Sequence, residues 1–316
     1  MKLVIQIPCF NEEQTLAKTL ADLPTKIAGV DTIEILIISD GSTDRTVEIA
    51  REHGIRHFVI FNRNMGLARA FAAGLEKSLE LGADIIVNTD ADNQYKGSDI
   101  TRLIQPILEK KAEIVIGDRR VDKIHEFSWL KKRMQKFGSY IVRKVSRTKV
   151  PDTTSGFRAY SRHAALHMNI ISTFSYTLET IIEAGQKDIA IVSIPIEINK
   201  TERPSRLFKS NWYYVKRSIA TIIRIYTMYQ PLRVFLYSGL MAFLISLLLS
   251  GRYFYFMVLG EGKGHIQSVI LAGILFLLSC VLFMFGLLAD VVAANRKILE
   301  DTLYRIKKNS LQQSNK

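Results

Sequence analysis

The sequence predicts an α/β protein with a doubly wound, mostly parallel sheet, followed by interfacial amphipathic helices and a two-helix transmembrane hairpin. Three observations carry that expectation. Short apolar segments alternate with helix-length amphipathic ones over residues 3–116, the pattern of a parallel sheet assembled from strand-helix-strand units. Two carboxylates, in Asp90-Ala91-Asp92, directly follow the run Ile85-Ile86-Val87-Asn88-Thr89, and ligands in open α/β sheets bind at the carboxyl ends of such strands. Two stretches without ionisable charge, residues 234–251 and 266–289, lie towards the other end of the chain.

Strands are expected at residues 3–7, 33–38, 57–61, 85–89 and 113–116, and helices at about 13–23, 43–52, 67–81 and 98–110. The second helix has Ser42 or Thr43 as its N-cap and Gly54 just past its end, the ordinary start and stop signals. After Gly117 the pattern changes, and residues 129–145 read as a basic amphipathic helix. Leu130, Met134, Phe137, Ile141 and Val145 share one stripe, beside Lys131, Lys132, Arg133, Lys136, Arg143 and Lys144. Such a helix suits a lipid surface, the alternative being an ordinary solvated helix. Residues 211–229 form a second, with Val215, Ile219, Ile222 and Tyr226 in register and Trp212, Tyr213, Tyr214 and Tyr229 suited to a headgroup region. Pro231 separates it from the first span.

About 20 helical residues cross a hydrocarbon core of about 30 Å. The segment 266–289 is long enough by itself, whereas the first span, about 232–259, must include Arg252, snorkelling to the far interface or facing protein. A buried hairpin in a soluble core is the alternative. Lys216, Arg217, Arg224 and Arg233 precede the first span, Arg296, Lys297, Arg305, Lys307 and Lys308 follow the second, and the loop 260–265 carries only Lys263 and Glu261. By the positive-inside rule both termini and the catalytic part are cytoplasmic in a multi-pass membrane protein, and no secretory signal is expected before the first strand. The expected organisation is a cytosolic domain (1–209), an interfacial helix (210–231), a hairpin (232–292) and a basic cytosolic tail (293–316).

With 48% hydrophobic and 23% charged residues the chain is not of disordered composition. Its net charge of +13 calls for anionic partners. Because much of the excess lies near the spans, anionic membrane lipids and phosphorylated substrates are favoured and nucleic acid is not expected. The two cysteines, Cys9 and Cys280, fall in the soluble domain and in mid-membrane, so no disulfide is expected between them. The six histidines show no metal-ligand spacing on one helix face, and Trp129 and Trp212 read as interfacial anchors.

The chemistry is concentrated at strand ends. A hard cation such as Mg²⁺ or Mn²⁺ takes one or two carboxylates and completes its shell with substrate phosphates, so Asp90 and Asp92 suit a nucleotide-diphosphate donor. Pro8-Cys9-Phe10-Asn11-Glu12-Glu13 ends the first strand and Ser39-Asp40-Gly41-Ser42-Thr43-Asp44 the second. No G-x-G-x-x-G follows the first strand and no G-x-x-x-x-G-K-[ST] occurs, which excludes the common dinucleotide and P-loop sites.

In order and spacing these motifs resemble the P-x-(Y/F)-N-E-E, D-D-G-S-x-D and D-x-D elements of the family 2 inverting nucleotide-diphosphosugar glycosyltransferases, over residues 3 to about 210. The resemblance implies a GT-A type fold, with Pro8, Phe10, Glu12 and Asp40 lining the nucleotide pocket and Asp90 and Asp92 facing metal and diphosphate. Ser39 stands where that family has its first aspartate. Gln94 completes D-A-D-x-Q, which is similar to the dolichol-phosphate mannose synthase and polyprenyl-phosphate glycosyltransferase subgroup, and adds an amide oxygen as a further metal ligand. The same subgroup is resembled by Gly117-Asp118-Arg119, by Asp152-Thr153-Thr154-Ser155-Gly156-Phe157-Arg158 and, without its usual glycine and lysine, by Arg203-Pro204-Ser205-Arg206.

The resemblance therefore implies transfer of one sugar, with inversion, to a polyprenyl (undecaprenyl or dolichyl) phosphate. Arg119, Lys132 and Lys136 are the expected acceptor clamp, and Ser155, Gly156, Phe157 and Arg158 the acceptor loop. Arg203, Arg206 and Lys209 are expected to close over the donor diphosphate. Glu179 lies where hydroxyl-acceptor relatives carry their base, or orients cations, or is simply a helix residue. A uridine donor is slightly favoured over GDP, and similar two-helix anchors add a homo-oligomer to the expected partners. A transferase acting on a lipid or glycan hydroxyl and a non-catalytic sugar-nucleotide-binding scaffold are the alternatives. A processive polysaccharide synthase is disfavoured because neither tryptophan is preceded by arginine.

Overall fold

The first strand of the chain is an interior strand of the sheet. The computed structural model describes residues 1–120, 129–171, 176–199 and 211–314. Its elements in chain order are β1 (Lys2–Cys9), α1 (Leu16–Asp22), β2 (Thr32–Ser39), α2 (Thr46–Glu52), β3 (His57–Ile60), α3 (Leu67–Glu80), β4 (Ile85–Asn88), α4 (Ile100–Leu108), β5 (Ile114–Asp118), α5 (Trp129–Ser146), β6 (Arg158–Ser161), α6 (Arg162–His167), α7 (Tyr176–Gln186), β7 (Ile191–Pro195), α8 (Asn211–Tyr229), α9 (Pro231–Val258) and α10 (Ile266–Ser314).

Seven strands pair in the order β3-β2-β1-β4-β6-β5-β7. β6 is antiparallel to both neighbours, and the other pairings are parallel. The five expected strands are present, and β6 and β7 are additional. β6 is four residues long and begins at a charged residue, Arg158, so periodicity gave no signal. Its direction matters for the site. Running against β4, with Asn88 opposite Arg158, it delivers the preceding loop, residues 152–157, to the carboxyl end of β4 where Asp90 and Asp92 emerge.

Leu3, Ile5, Ile7, Leu36, Ile37, Ile38, Ile85, Ile86 and Val87 are fully buried, as expected of strands covered on both faces. Pro8 is also buried in β1. Its missing N–H is tolerated because β1 pairs with β4 only from Leu3 to Gln6.

The first two helices begin later than expected. The polar groups before them are used between loops: Asn11 N donates to Ser42 Oγ (3.1 Å), Thr43 N to Asn11 Oδ1 (2.8 Å), Glu12 N to Thr46 Oγ1 (2.8 Å) and Glu13 N to Asp44 Oδ2 (3.1 Å). Neither Ser42 nor Thr43 caps α2, and Asp44 instead accepts from Thr46 N at 3.0 Å. Gly41, at φ +72°, is required here because a Cβ would lie 2.4 Å from the Arg63 carbonyl carbon.

One further expectation changes. His163 and His167 do stand one turn apart on α6, but they pack with Tyr304, whose ring stacks 4.1 Å from that of His167. The buried face of α5 carries Ser139, Val142 and Ser146, while Ile141 and Val145 are half-buried and Tyr140 is 54% exposed. In α8, Ile222 and Ile225 are buried and Ile219 is 48% exposed, while the side chains of Val215 and, on α5, of Leu130, Met134 and Phe137 lie outside the described residues. The side chains of Trp129 and Trp212 lie outside the described residues.

The chain divides into two compact units, Met1–Ile222 with Leu303–Lys316, and Ile223–Thr302. In the second, α9 and α10 are long and apolar enough to cross a bilayer, and only 17% of the most apolar stretch of each is buried. That exposure is the reverse of a soluble core hairpin. Their contact uses small residues: a Cβ on Gly239 would meet Phe283 at 2.8 Å, one on Gly286 would meet Phe235 Cβ at 3.1 Å, and Ser246 Oγ donates to the Ala272 carbonyl at 2.7 Å. Close backbone approach and interhelical hydrogen bonds associate helices where no hydrophobic driving force operates. Arg252 is exposed and lies over the Phe256 ring at 5.9 Å, about 32 Å along α9 from Pro231 at 1.5 Å per residue, a depth suited to snorkelling.

Candidate active site

The loops after β1, β2 and β4 and the loop before β6 gather at one edge of the sheet. Phe10 is 43% exposed and Glu12 half-buried, so both are accessible there. Pro8 and Asp40 are not. Asp40 is 4% exposed, and its two carboxylate oxygens accept from Met65 N (2.6 Å) and Gly66 N (2.9 Å). Burial pushes its carboxyl above the usual range, partly offset by those two N–H groups. Asp40 therefore positions the turn before α3. Ser39 is buried, its Oγ accepting from Ser42 N at 3.3 Å. Cys9 is buried too, and burial raises its thiol well above the ordinary value.

Asp90 and Asp92 emerge from β4, both half-buried. Burial first, then the charge of Asp92, pushes the Asp90 carboxyl up to about 7. Asp92 Oδ1 accepts from Gln94 N at 3.1 Å, and the Gln94 carbonyl accepts from Asn199 N at 2.9 Å, which ties this turn to the segment after β7. The turn is held from the other side by Thr19 Oγ1, which donates to the Ala91 carbonyl at 3.0 Å.

Arg119, at the end of β5, is paired in this structure. Its Nε and Nη2 donate to the two oxygens of Asp152 at 2.7 and 3.0 Å, and Nη2 also donates to Thr154 Oγ1 at 2.8 Å. The side chains of Arg119 and Asp152 are 10% and 1% exposed. The guanidinium is therefore held in a fixed orientation. Burial pushes the Asp152 carboxyl up, but the charge and hydrogen bonds of Arg119 outweigh it and leave it below the usual carboxylate range. The stability this gives is present above the unfolded value of about 4 and is lost as pH falls through the lower folded value. Below about pH 4 the wild-type unfolding temperature is expected to fall more steeply than that of Asp152→Asn, and parallel curves would contradict the coupling.

The expected acceptor-loop residues are mostly internal. Arg158 is 0% exposed and donates to the carbonyls of Ser155 (2.7 Å), Thr177 (2.9 Å) and Thr153 (3.0 Å) and to Thr180 Oγ1 (2.7 Å). Ser155 and Phe157 are also fully buried, Phe157 stacking on Tyr95 with centroids 5.0 Å apart. These residues are the scaffold of the loop. Glu179 is 2% exposed and accepts from Ile171 N at 2.9 Å, so it fixes the segment after α6 and is not presented as a base. Lys132 and Lys136 lie on α5, but their side chains are outside the described residues, as are Arg203, Arg206 and Lys209 entirely.

Asp152, Asn88, Tyr95 and Tyr176 are the residues that sequence reasoning did not single out. Asp152 opens the quoted D-x-x-S-G-F-R element, and Asn88 was legible as a polar residue inside an apolar strand.

The carboxylate pair fits a divalent cation. A desolvated, mutually repelling pair is what a bound cation neutralises. Among the described residues no group of three His, Cys, Asp or Glu side chains is placed to hold a metal, and Mg²⁺ or Mn²⁺ completes a two-carboxylate site with phosphate oxygens and water.

Comparison with known proteins gives a consistent result. A family model described as Glycosyl transferase family 2 matches residues 4–167. The UDP-N-acetylglucosamine--dolichyl-phosphate N-acetylglucosaminyltransferase of Methanococcus voltae is 30% identical over 225 residues, covering 62% of this chain and 85% of that one. The undecaprenyl-phosphate mannosyltransferase of Micrococcus luteus is 27% identical over 212 residues, covering 64% and 85%. Glucosyl-3-phosphoglycerate synthase from Mycobacterium tuberculosis, solved in complex with Mn²⁺, UDP and phosphoglyceric acid, matches with a TM-score of 0.57 at 18% identity over 71% of this chain and 78% of that one, a likeness of fold.

Proposed function

The chain belongs to glycosyl transferase family 2, and from that premise we propose that it moves one sugar from a nucleotide-diphosphate donor to a polyprenyl phosphate with inversion at the anomeric carbon. The observation that carries this reading is the carboxylate pair Asp90 and Asp92 at the end of β4, facing the loop 152–157, in a chain that also has two bilayer-length apolar helices. The names of the two curated relatives, both transferases to a polyprenyl phosphate, support it.

A phosphate monoester is already an anionic nucleophile near neutral pH and needs no strong base. The requirement is to hold two phosphate-bearing substrates in line against their repulsion. Asp90 and Asp92 would hold Mg²⁺ or Mn²⁺, which supplies charge neutralisation for the departing nucleoside diphosphate. Arg119, oriented by Asp152, would face the acceptor phosphate together with Lys132 and Lys136. Phe10 and Glu12 are the accessible candidates for the nucleoside, and a uridine donor is the slightly favoured reading. Arg203, Arg206 and Lys209 would close over the diphosphate, excluding water from a labile donor. The buried, hydrogen-bonded state of Glu179 speaks against a hydroxyl acceptor activated by that residue.

In this reading α9 and α10 span the membrane as a hairpin with both termini cytoplasmic, and α5 rests on the anionic leaflet. Its outward face combines half-buried Ile141 and Val145 with Tyr140, Arg143 and Lys144, and a shallow cavity of about 510 Å³ lies among Tyr140, Arg143, Lys144, Thr148 and Lys149. Each cation near an anionic surface contributes about 1 kcal/mol. Amide exchange over residues 139–149 is therefore expected to be slower in phosphatidylglycerol nanodiscs than in phosphatidylcholine ones. The triple change Arg143→Glu, Lys144→Glu, Lys149→Glu should abolish the difference, and equal exchange of the wild type in both lipids would remove α5 from the bilayer.

The deciding experiment supplies purified full-length protein with polyprenyl phosphate, Mn²⁺ or Mg²⁺ and a panel of radiolabelled UDP and GDP sugars. Label from one donor should enter a lipid-extractable, mild-acid-labile product, and chelation should prevent it. Nucleotide binding without lipid product from any donor would move the assignment to a hydroxyl acceptor or a non-catalytic scaffold.

A further inference from the structure

Gly156 lies where the loop before β6 crosses the end of β4, and its peptide is held on both sides. Its N–H donates to Tyr95 Oη at 3.0 Å, and its carbonyl accepts from Asn88 Nδ2 at 2.9 Å and from the Tyr176 hydroxyl at 3.3 Å. Asn88 is fully buried, and its amide is used throughout: Nδ2 also donates to Tyr176 Oη at 2.9 Å, while Oδ1 accepts from Gln6 Nε2 at 2.9 Å. Tyr176 is itself fixed by stacking on Phe71, centroids 3.8 Å apart. A polar residue in the middle of a buried strand is tolerated only when it is satisfied in this way.

What the anchoring achieves is visible at the missing side chain. A Cβ on Gly156 would stand 3.0 Å from each carboxylate oxygen of Asp90 and 3.1 Å from Tyr176 Oη. Gly156 is not among the glycines with positive φ, so backbone conformation does not demand glycine there. The demand is for space beside Asp90.

We propose that Gly156 is a positioning residue for Asp90, seating that carboxylate in the notch left by its absent side chain, with Asn88 and Tyr176 as the anchors of the notch. The donor carboxylates and the loop 152–157 then share one register, and a glycine that the family resemblance puts in an acceptor loop acts on the donor side. The inference rests on the reading that Asp90 and Asp92 face the donor diphosphate and its cation.

The test is equilibrium binding of UDP, and of GDP, to the full chain without acceptor or turnover, by calorimetry at a series of Mn²⁺ concentrations. Gly156→Ala is expected to raise the Mn²⁺ midpoint for nucleotide binding about tenfold, ~1.4 kcal/mol. The unfolding temperature should be little changed, and the KM for polyprenyl phosphate unchanged within about twofold on the same scale. An unchanged Mn²⁺ midpoint with a raised acceptor KM would overturn the proposal and return Gly156 to the acceptor side. Should Gly156→Ala not fold, Tyr176→Phe removes one anchor without adding an atom. It is expected to raise the midpoint about threefold, and an unaltered midpoint overturns the proposal. Failure of the wild type to bind either nucleotide in a Mn²⁺-dependent way would instead overturn the donor reading, and this inference with it.

Discussion

Asp92→Asn is expected to lower sugar transfer on the order of 10³-fold, about 4 kcal/mol of transition-state stabilisation, with the fold intact. Asparagine is isosteric and keeps an Oδ1 to accept from Gln94 N, as the carboxylate does, so the turn 92–95 retains its shape. What disappears is one negative charge. Burial and Asp92 together push Asp90 up to about 7, so removing the Asp92 charge relieves a repulsion in the free protein, and the unfolding temperature should hold or rise slightly. Catalysis should lose in the same step, because in the proposed function Asp92 would be one of two anionic ligands of the cation that would offset the developing charge of the leaving diphosphate. Chelation of the wild type should reproduce the loss. A variant retaining more than about a tenth of the wild-type rate, a deficit below ~1.4 kcal/mol, would show that the carboxylate pair does not carry the reaction.

The parallel half of the sheet and the donor-side motifs are written locally in the sequence, whereas the acceptor side is written in long-range contacts. β1, β2 and β4 are near-continuous apolar runs, and strands buried on both faces can hardly be anything else. β6 has four residues beginning with Arg158, and only its pairing between β4 and β5 makes it a strand. The same limit applies to side chains. An arginine, a serine and a phenylalanine in a motif read as substrate contacts, but Ser155, Phe157 and Arg158 are all fully buried. Asp40 reads as a pocket carboxylate, yet it closes on Met65 and Gly66, distant in sequence. For α5 the helical stripe was visible, but not which face would meet protein, because the small residues Ser139 and Ser146 do the packing and leave Ile141 and Val145 half-buried.

Arg158→Met is expected to destabilise the unit formed by Met1–Ile222 and Leu303–Lys316 by about 3–5 kcal/mol, the range for uncompensated loss inside a buried polar network. The guanidinium is fully buried and bridges three backbone carbonyls and one hydroxyl: Thr153 and Ser155 in the loop before β6, Thr177 and Thr180 on α7. Methionine fills much of the volume but leaves those acceptors in a site that water does not reach, and each buried acceptor left unmatched costs about 1–3 kcal/mol. Arg158→Lys should fall between, since a single ammonium has three donors and cannot reproduce the planar fork. Both variants should show a lowered unfolding temperature in thermal scans of the full-length protein, methionine the more so. Nucleotide binding at low temperature should survive wherever folded protein is recovered, because no atom of Arg158 is exposed at the site. A methionine variant of wild-type stability that has lost transfer would reverse this assignment, making Arg158 a substrate contact in a loop that opens.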